Sequence, residues 1–192
     1  VKKVLVLLAN GFEAYEASAF IDVLGWAGSF GDQPVKAVTA GLRESLTCTF
    51  GFRVMPEAVL GELSLDTFDA LAIPGGFGTA GFYEEAFSEK FLEAIRFFNA
   101  KNRPIASVCV ASLSLGMSGI LKDRPATTYL LEARKKEQLA GMGALVQDTP
   151  LVRDKNVITS SSPGNAMDVA FMLLAMLTSQ ENADHVKKLM GF

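Results

Sequence analysis

Three stretches of the chain are apolar at almost every position: Val4-Leu5-Val6-Leu7-Leu8, Ala70-Leu71-Ala72-Ile73 and Ile105-Ala106-Ser107-Val108. A strand with one wet face alternates apolar and polar residues, whereas a strand apolar throughout is covered on both faces. Such strands need helices above and below them, and helical spacing follows each run. Phe20, Val23, Leu24 and Ala27 share one face of a stretch from Ala14 to Ala27, which Gly28 is expected to close. Phe87, Phe91, Ile95 and Phe98 recur at helical spacing in a stretch expected to run from Ala80 to Ala100. Small residues fill a third, from Ala111 to Gly119. Alternating strand and helix predicts an α/β fold with a mainly parallel sheet and helices on both faces.

The remaining segments fit this plan. Val35 to Thr39 reads as a strand, and Leu46 to Met55 as a hairpin or edge extension. Beyond Gly119 the pattern predicts a helix near Leu130 to Leu139 and short strands around Leu145 and at Val157-Ile158-Thr159. Pro163-Gly164 opens an apolar helix from Ala166 to Leu177, and Ala183 to Leu189 forms a last short one. No repeat or linker divides residues 1–192, so a single domain is expected, which suits a length of 192.

A net charge of −3 argues against a nucleic-acid surface, which needs a basic patch. No run approaches the ~18 apolar residues of a membrane span, and the first apolar run is short for an export signal. Two cysteines make no disulfide framework, so a cytoplasmic location is the simplest expectation. One histidine and two cysteines cannot readily furnish a zinc site, and neither metal nor cofactor is expected. The lone histidine, His185, follows Asp184 in the terminal helix and reads as a surface residue. Cys48, in the hairpin region, reads as structural or interfacial.

In open parallel sheets ligands bind beyond the carboxyl ends of the strands. Three loops there carry chemistry: Asn10 to Glu16, Gly75-Gly76 and Cys109-Val110. Ser107-Val108-Cys109-Val110-Ala111 joins a buried strand to a helix, the layout of a nucleophile elbow with small residues two places either side. A cysteine at a helix start is expected to have a lowered pKa; the alternative is a buried structural thiol. Gly75-Gly76 lets backbone approach a ligand, and the Gly76 and Val110 N–H groups can form an oxyanion hole; the alternative is an ordinary turn. Glu16, with Glu13 as its competitor, can hold a proton beside the sulfur and so favour thiolate.

With these residues in view the chain resembles the ThiJ/PfpI superfamily, in the branch of the Parkinson-associated protein and its bacterial relatives. The markers are Val4 to Ala9 leading to Gly11-Phe12-Glu13 and Glu16, then Asp22-Val23-Leu24 and Ile73-Pro74-Gly75-Gly76. Ala106-Ser107-Val108-Cys109, Ala126-Thr127-Thr128 and Thr159-Ser160 with Pro163-Gly164 complete the set. The resemblance implies a flavodoxin-like three-layer sandwich and a homodimer. It makes Cys109 the elbow nucleophile, Glu16 its protonated partner, and the Gly76 and Val110 amides the oxyanion donors. It also places Gly75, Tyr129, Trp26, Phe50 and Ser161 around the pocket. Tyr129 stands where many members carry a histidine, and Trp26 and Phe50 where arginines line a relative's pocket, which favours apolar ligands over anions.

Two functions of different kinds follow. One is a cysteine-dependent hydrolase or lyase acting on a small electrophile, by glyoxalase, deglycase or isonitrile chemistry. The other is a non-catalytic oxidative-stress sensor or chaperone whose Cys109 oxidises to sulfinate.

Overall fold

The computed structural model describes residues 1–192. In chain order its strands are β1 (Lys2–Leu8), β2 (Val35–Gly41), β3 (Leu46–Thr47), β4 (Arg53–Val54), β5 (Ala58–Val59), β6 (Ala70–Ile73), β7 (Ile105–Ser107), β8 (Pro125–Ala126), β9 (Leu145–Val146), β10 (Leu151–Asp154) and β11 (Val157–Ser160). The helices are α1 (Ala14–Phe30), α2 (Phe82–Ala86), α3 (Glu89–Ala100), α4 (Ala111–Met117), α5 (Ala133–Gly141), α6 (Ala166–Leu177) and α7 (Gln180–Leu189).

Seven strands form the main sheet in the order β10-β11-β7-β6-β1-β2-β5. All neighbours are parallel except β10, which runs antiparallel to β11. The apolar runs of the sequence are its centre: Val4 to Leu8, Ala70 to Ile73 and Ile105 to Val108 are all buried. Helices α1, α6 and α7 pack together against one face, while α3 and α4 belong to the other. This is the flavodoxin-like α/β architecture. The chain steps from β1 outward to β2 and later returns to β6 on the other side of β1. That reversal opens a crevice at the strand ends.

Three local expectations are corrected. Helix α1 passes through Gly28 to Phe30. A Cβ on Gly28 would lie 2.6 Å from the Val35 carbonyl oxygen, so this glycine permits close approach to β2 rather than ending the helix. The stretch from Ala80 to Ala100 is not one helix. Gly81 adopts φ +85°, and the chain breaks into a turn of 3-10 helix (Gly78–Ala80), α2 and α3. The helix expected from Leu130 begins only at Ala133. Strand β9, around Leu145, pairs with β8 in a separate two-stranded sheet. Strand β10 was not foreseen; Lys155, at φ 51°, turns it back onto β11.

Candidate active site

The site is built where β1, β6 and β7 end. Strand β7 stops at Ser107, the Val108 N–H donates to the Ile73 carbonyl at 3.1 Å, and α4 starts at Ala111. Cys109 makes the turn between them at φ 55°. A left-handed backbone at a non-glycine residue costs on the order of 1–3 kcal/mol and persists only when its surroundings fix it. They do so here: Ala111 N–H donates to the Val108 carbonyl at 3.0 Å and the Ser112 hydroxyl to the Cys109 carbonyl at 3.0 Å. Ser107 is anchored to β11 through the Ile158 carbonyl at 3.3 Å.

Gly75 and Gly76 extend from β6 against the loop after β1. The Glu13 N–H donates to the Gly75 carbonyl at 2.7 Å, and the Phe77 N–H to the Gly11 carbonyl at 3.2 Å. A Cβ on Gly76 would sit 2.2 Å from the Gly11 carbonyl oxygen, and one on Gly75 would sit 2.9 Å from that of Val108. Both positions therefore demand glycine for close packing. The Gly76 N–H bonds to no backbone carbonyl and remains a free donor.

Glu16, on the first turns of α1, is fully buried. Its Oε2 accepts from the Gly75 N–H at 2.5 Å. The carboxyl lies against the Cys109 side chain, and its Oε1 is buried with no hydrogen-bond partner. Burial outweighs the Gly75 hydrogen bond and holds the Glu16 pKa up at about 8, from an ordinary 4.5. Glu16 therefore carries its proton at neutral pH.

The thiol corrects an expectation. Cys109 is raised above its ordinary value, first by burial and then by repulsion from an ionised Glu16, with the Val110 N–H pulling the other way. Desolvation defeats the helix-start effect. Sulfur and carboxyl behave as one acid pair, and the repulsion operates only while Glu16 is charged. When the proton stays on Glu16, that repulsion is absent.

Cys109 opens, at 8% exposure, onto a pocket of about 390 Å³. Gly76, Val110 and Tyr129 line it with the cysteine. Gly75 lies behind, holding Glu16. Trp26, Phe50 and Ser161 do not line it. Trp26 packs on Phe30 near the far end of α1, with ring centroids 5.3 Å apart and tilted by 45°. Phe50 is 81% exposed on the β3–β4 turn and touches the site only through Phe77, 5.8 Å away. The Ser161 hydroxyl is turned inward to Asn165 Oδ1 at 3.1 Å, and Pro163 supplies that wall instead.

Sequence reasoning missed Phe77, Tyr83, Glu132 and Lys135, and named Glu13 only as a competitor; all five line the pocket. Lys135 Nζ sits 4.8 Å over the Tyr83 ring. His185 pairs with Asp32 at 2.9 Å and does not line the pocket. Cys48 is buried and tied into the hairpin by its N–H to the Phe52 carbonyl at 2.7 Å.

A flavodoxin-like α/β fold with a cysteine on a strand-to-helix elbow, backed by a buried glutamic acid, places the chain in the class of cysteine-elbow α/β proteins. The chain belongs to the DJ-1/PfpI family, whose sequence model matches residues 2–176. It is 31% identical over 191 residues to protein dj-1beta of Drosophila melanogaster, covering 97% of this chain and 95% of that protein. The crystal structure of Drosophila melanogaster DJ-1beta superposes with a TM-score of 0.86 at 29% identity, covering 98% of this chain and 97% of that one. Isonitrile hydratase of Pseudomonas putida is 29% identical over 142 residues, covering 74% of this chain and 59% of that protein.

Proposed function

We propose that this chain is a cysteine-dependent enzyme acting on small electrophilic carbonyl compounds, α-ketoaldehydes foremost, with Cys109 as nucleophile and Glu16 as its proton-holding partner. The observation that carries the reading is the Cys109 elbow opening onto the pocket beside the Gly76 and Val110 N–H groups. An oxyanion formed by sulfur attack would meet donors already in place, which is the cheapest form of transition-state stabilisation. Phe77, Tyr83, Tyr129 and Pro163 give the pocket largely apolar walls suited to small uncharged substrates. The similarity to an isonitrile hydratase makes an alkyl isonitrile the second substrate to try. Purified protein is expected to convert methylglyoxal to lactate, and prior alkylation with iodoacetamide to stop it. Failure to turn over either methylglyoxal or an alkyl isonitrile would overturn the reading.

A second reading rests on the same donors. Gly76, Val110 and protonated Glu16 would also hold the oxygens of a Cys109 sulfinate, as an oxidative-stress sensor or chaperone requires. Mild peroxide followed by intact-mass measurement separates the two. A gain of two oxygens on Cys109 without carbonyl turnover selects the sensor.

We further propose that residues 1–192 work as one domain and that the chain pairs with itself in the cytoplasm. Two free thiols suit a reducing compartment. No helix is long and apolar enough to cross a membrane. Tyr15 and Ile21 of α1 stand exposed, as do Phe52 and Met55 of the hairpin region, and Ile21, Phe52 and Met55 line one apolar groove. Exposed apolar surface of this kind marks an association face. Light scattering is expected to give twice the 20.6 kDa of one chain, falling to one chain in the F52E/M55E double variant. A wild-type protein that runs as a monomer would sink the pairing.

A further inference from the structure

We propose that Glu13, and not Glu16, is the residue that moves protons to and from the substrate carbon. This rests on the enzymatic reading above and assigns the step that reading leaves open: with no imidazole in the pocket, something else must serve as base.

Glu16 is poorly placed for it. It is fully buried, its Oε2 is held by the Gly75 N–H, and it does not line the pocket. The titratable groups that do line it come from four elements: Glu13 before α1, Tyr83 on α2, Cys109 at the elbow, and Tyr129, Glu132 and Lys135 around the start of α5. Phenols and ammonium groups keep their protons at neutral pH and cannot accept another. Tyr83 is pushed further that way by burial. Glu132 is exposed, and its charge acts on Tyr83 rather than on the sulfur. Glu13 remains.

Its placement is specific. Glu13 caps α1 with an extended backbone, yet its side chain makes no capping hydrogen bond. Its N–H is fixed to the Gly75 carbonyl at 2.7 Å, next to the donor at Gly76. The carboxyl has no ion pair or hydrogen bond, is half-buried, and its charge is felt by both Cys109 and Glu16. Burial also raises its pKa, which makes it a stronger base once ionised.

The chemistry balances without a co-reactant other than water. Cysteine sulfur adds to the aldehyde carbon of an α-ketoaldehyde, and the π pair moves to oxygen at the Gly76 and Val110 N–H groups. That oxygen takes the proton held by the Glu16–Cys109 pair, giving a hemithioacetal. The Glu13 carboxylate then removes the hydrogen on that carbon as a proton, and the electron pair flows through the carbon–carbon bond onto the neighbouring ketone oxygen. Glu13 returns the proton to the second carbon, while the hydroxyl proton of the first passes to the adjacent oxygen. One carbon is oxidised to a thioester as the other is reduced to an alcohol. Water cleaves the thioester, its hydroxyl going to carbon and its proton to sulfur.

The test compares wild type, Glu13→Gln and Glu13→Asp with methylglyoxal as substrate and iodoacetamide as an independent probe of Cys109. The glutamine variant is expected to lose about a hundredfold in kcat. Its KM should stay within about threefold of wild type, its rate of Cys109 alkylation should hold or rise because a repelling charge is gone, and aspartate should restore part of the lost kcat. If Glu13→Gln keeps its kcat while wild type is active, the proposal fails and the enzymatic reading stands. A parallel fall in turnover and alkylation would mark Glu13 as merely structural and also overturn it. A wild type inert toward methylglyoxal removes the reaction, and the proposal with it.

Discussion

Exchange of Cys109 for serine is expected to abolish turnover, by roughly a thousandfold or more, while the melting temperature stays within a few degrees of wild type. The substitution swaps one small side-chain atom at a position that is 8% exposed, so packing changes little. The elbow is set by backbone bonds at Val108, Ala111 and Ser112 rather than by sulfur, so φ 55° survives. Chemistry is what changes. A thiol is intrinsically the better nucleophile and passes its proton on within the Glu16 pair, whereas a serine hydroxyl is a far weaker acid, and a carboxylate such as Glu13 is too weak a base to activate it. Removing a nucleophile from a preassembled site leaves only the residual effect of binding and oxyanion donors. Cys48→Ser is the matched control: its thiol sits in the hairpin, and turnover should persist. Lactate formation measured for both variants checks the prediction, and an active Cys109→Ser protein would refute it.

How much of this was legible in the sequence depends on how local the cause was. The central strands were plain because burial on both faces leaves an uninterrupted apolar signature in five or fewer residues. The elbow was plain because its strand, turn and helix are contiguous from Ile105 to Met117. Misreadings came where one residue type serves two purposes. Gly28 has the spacing of a helix stop, but it is a contact point for the Val35 carbonyl. Gly81 reads as part of a helix because the phenylalanine spacing beyond it is helical, although its φ of +85° breaks the chain there. The β10–β11 hairpin was readable in principle, since Asp154-Lys155-Asn156 is a turn between apolar pairs. The pocket was the least legible part. Its walls come from Phe77, Tyr83, Glu132, Lys135 and Pro163, brought together only by the fold, so no local pattern announces them. Positional matching to relatives placed Trp26 and Phe50 at the mouth, but side-chain direction decides that, and both point elsewhere.

Glu16→Gln should change how stability depends on pH more than any other single substitution. A fully buried carboxyl with a pKa of about 8 binds its proton more tightly in the folded chain than at the ordinary value of 4.5. Below pH 4.5 both states hold the proton, and the contribution is fully present. Between 4.5 and about 8 the unfolded chain releases the proton and the folded chain cannot, so unfolding becomes easier as pH rises. Each pH unit in that window removes about 1.4 kcal/mol, and the whole window at most roughly 5 kcal/mol. Glutamine keeps an oxygen for the Gly75 N–H and has no proton to lose, so this slope vanishes. Wild type should therefore lose on the order of 10 °C in Tm from pH 5 to pH 8 relative to the variant. The variant should also turn over methylglyoxal about a hundredfold more slowly, because a neutral amide can donate toward sulfur but cannot hand over the proton the adduct needs. Stabilisation at pH 8 together with lost activity is a combination that no simple packing defect produces. Melting curves of the two proteins that run parallel from pH 5 to pH 8 would show that Glu16 is not the buried neutral acid on which the site depends.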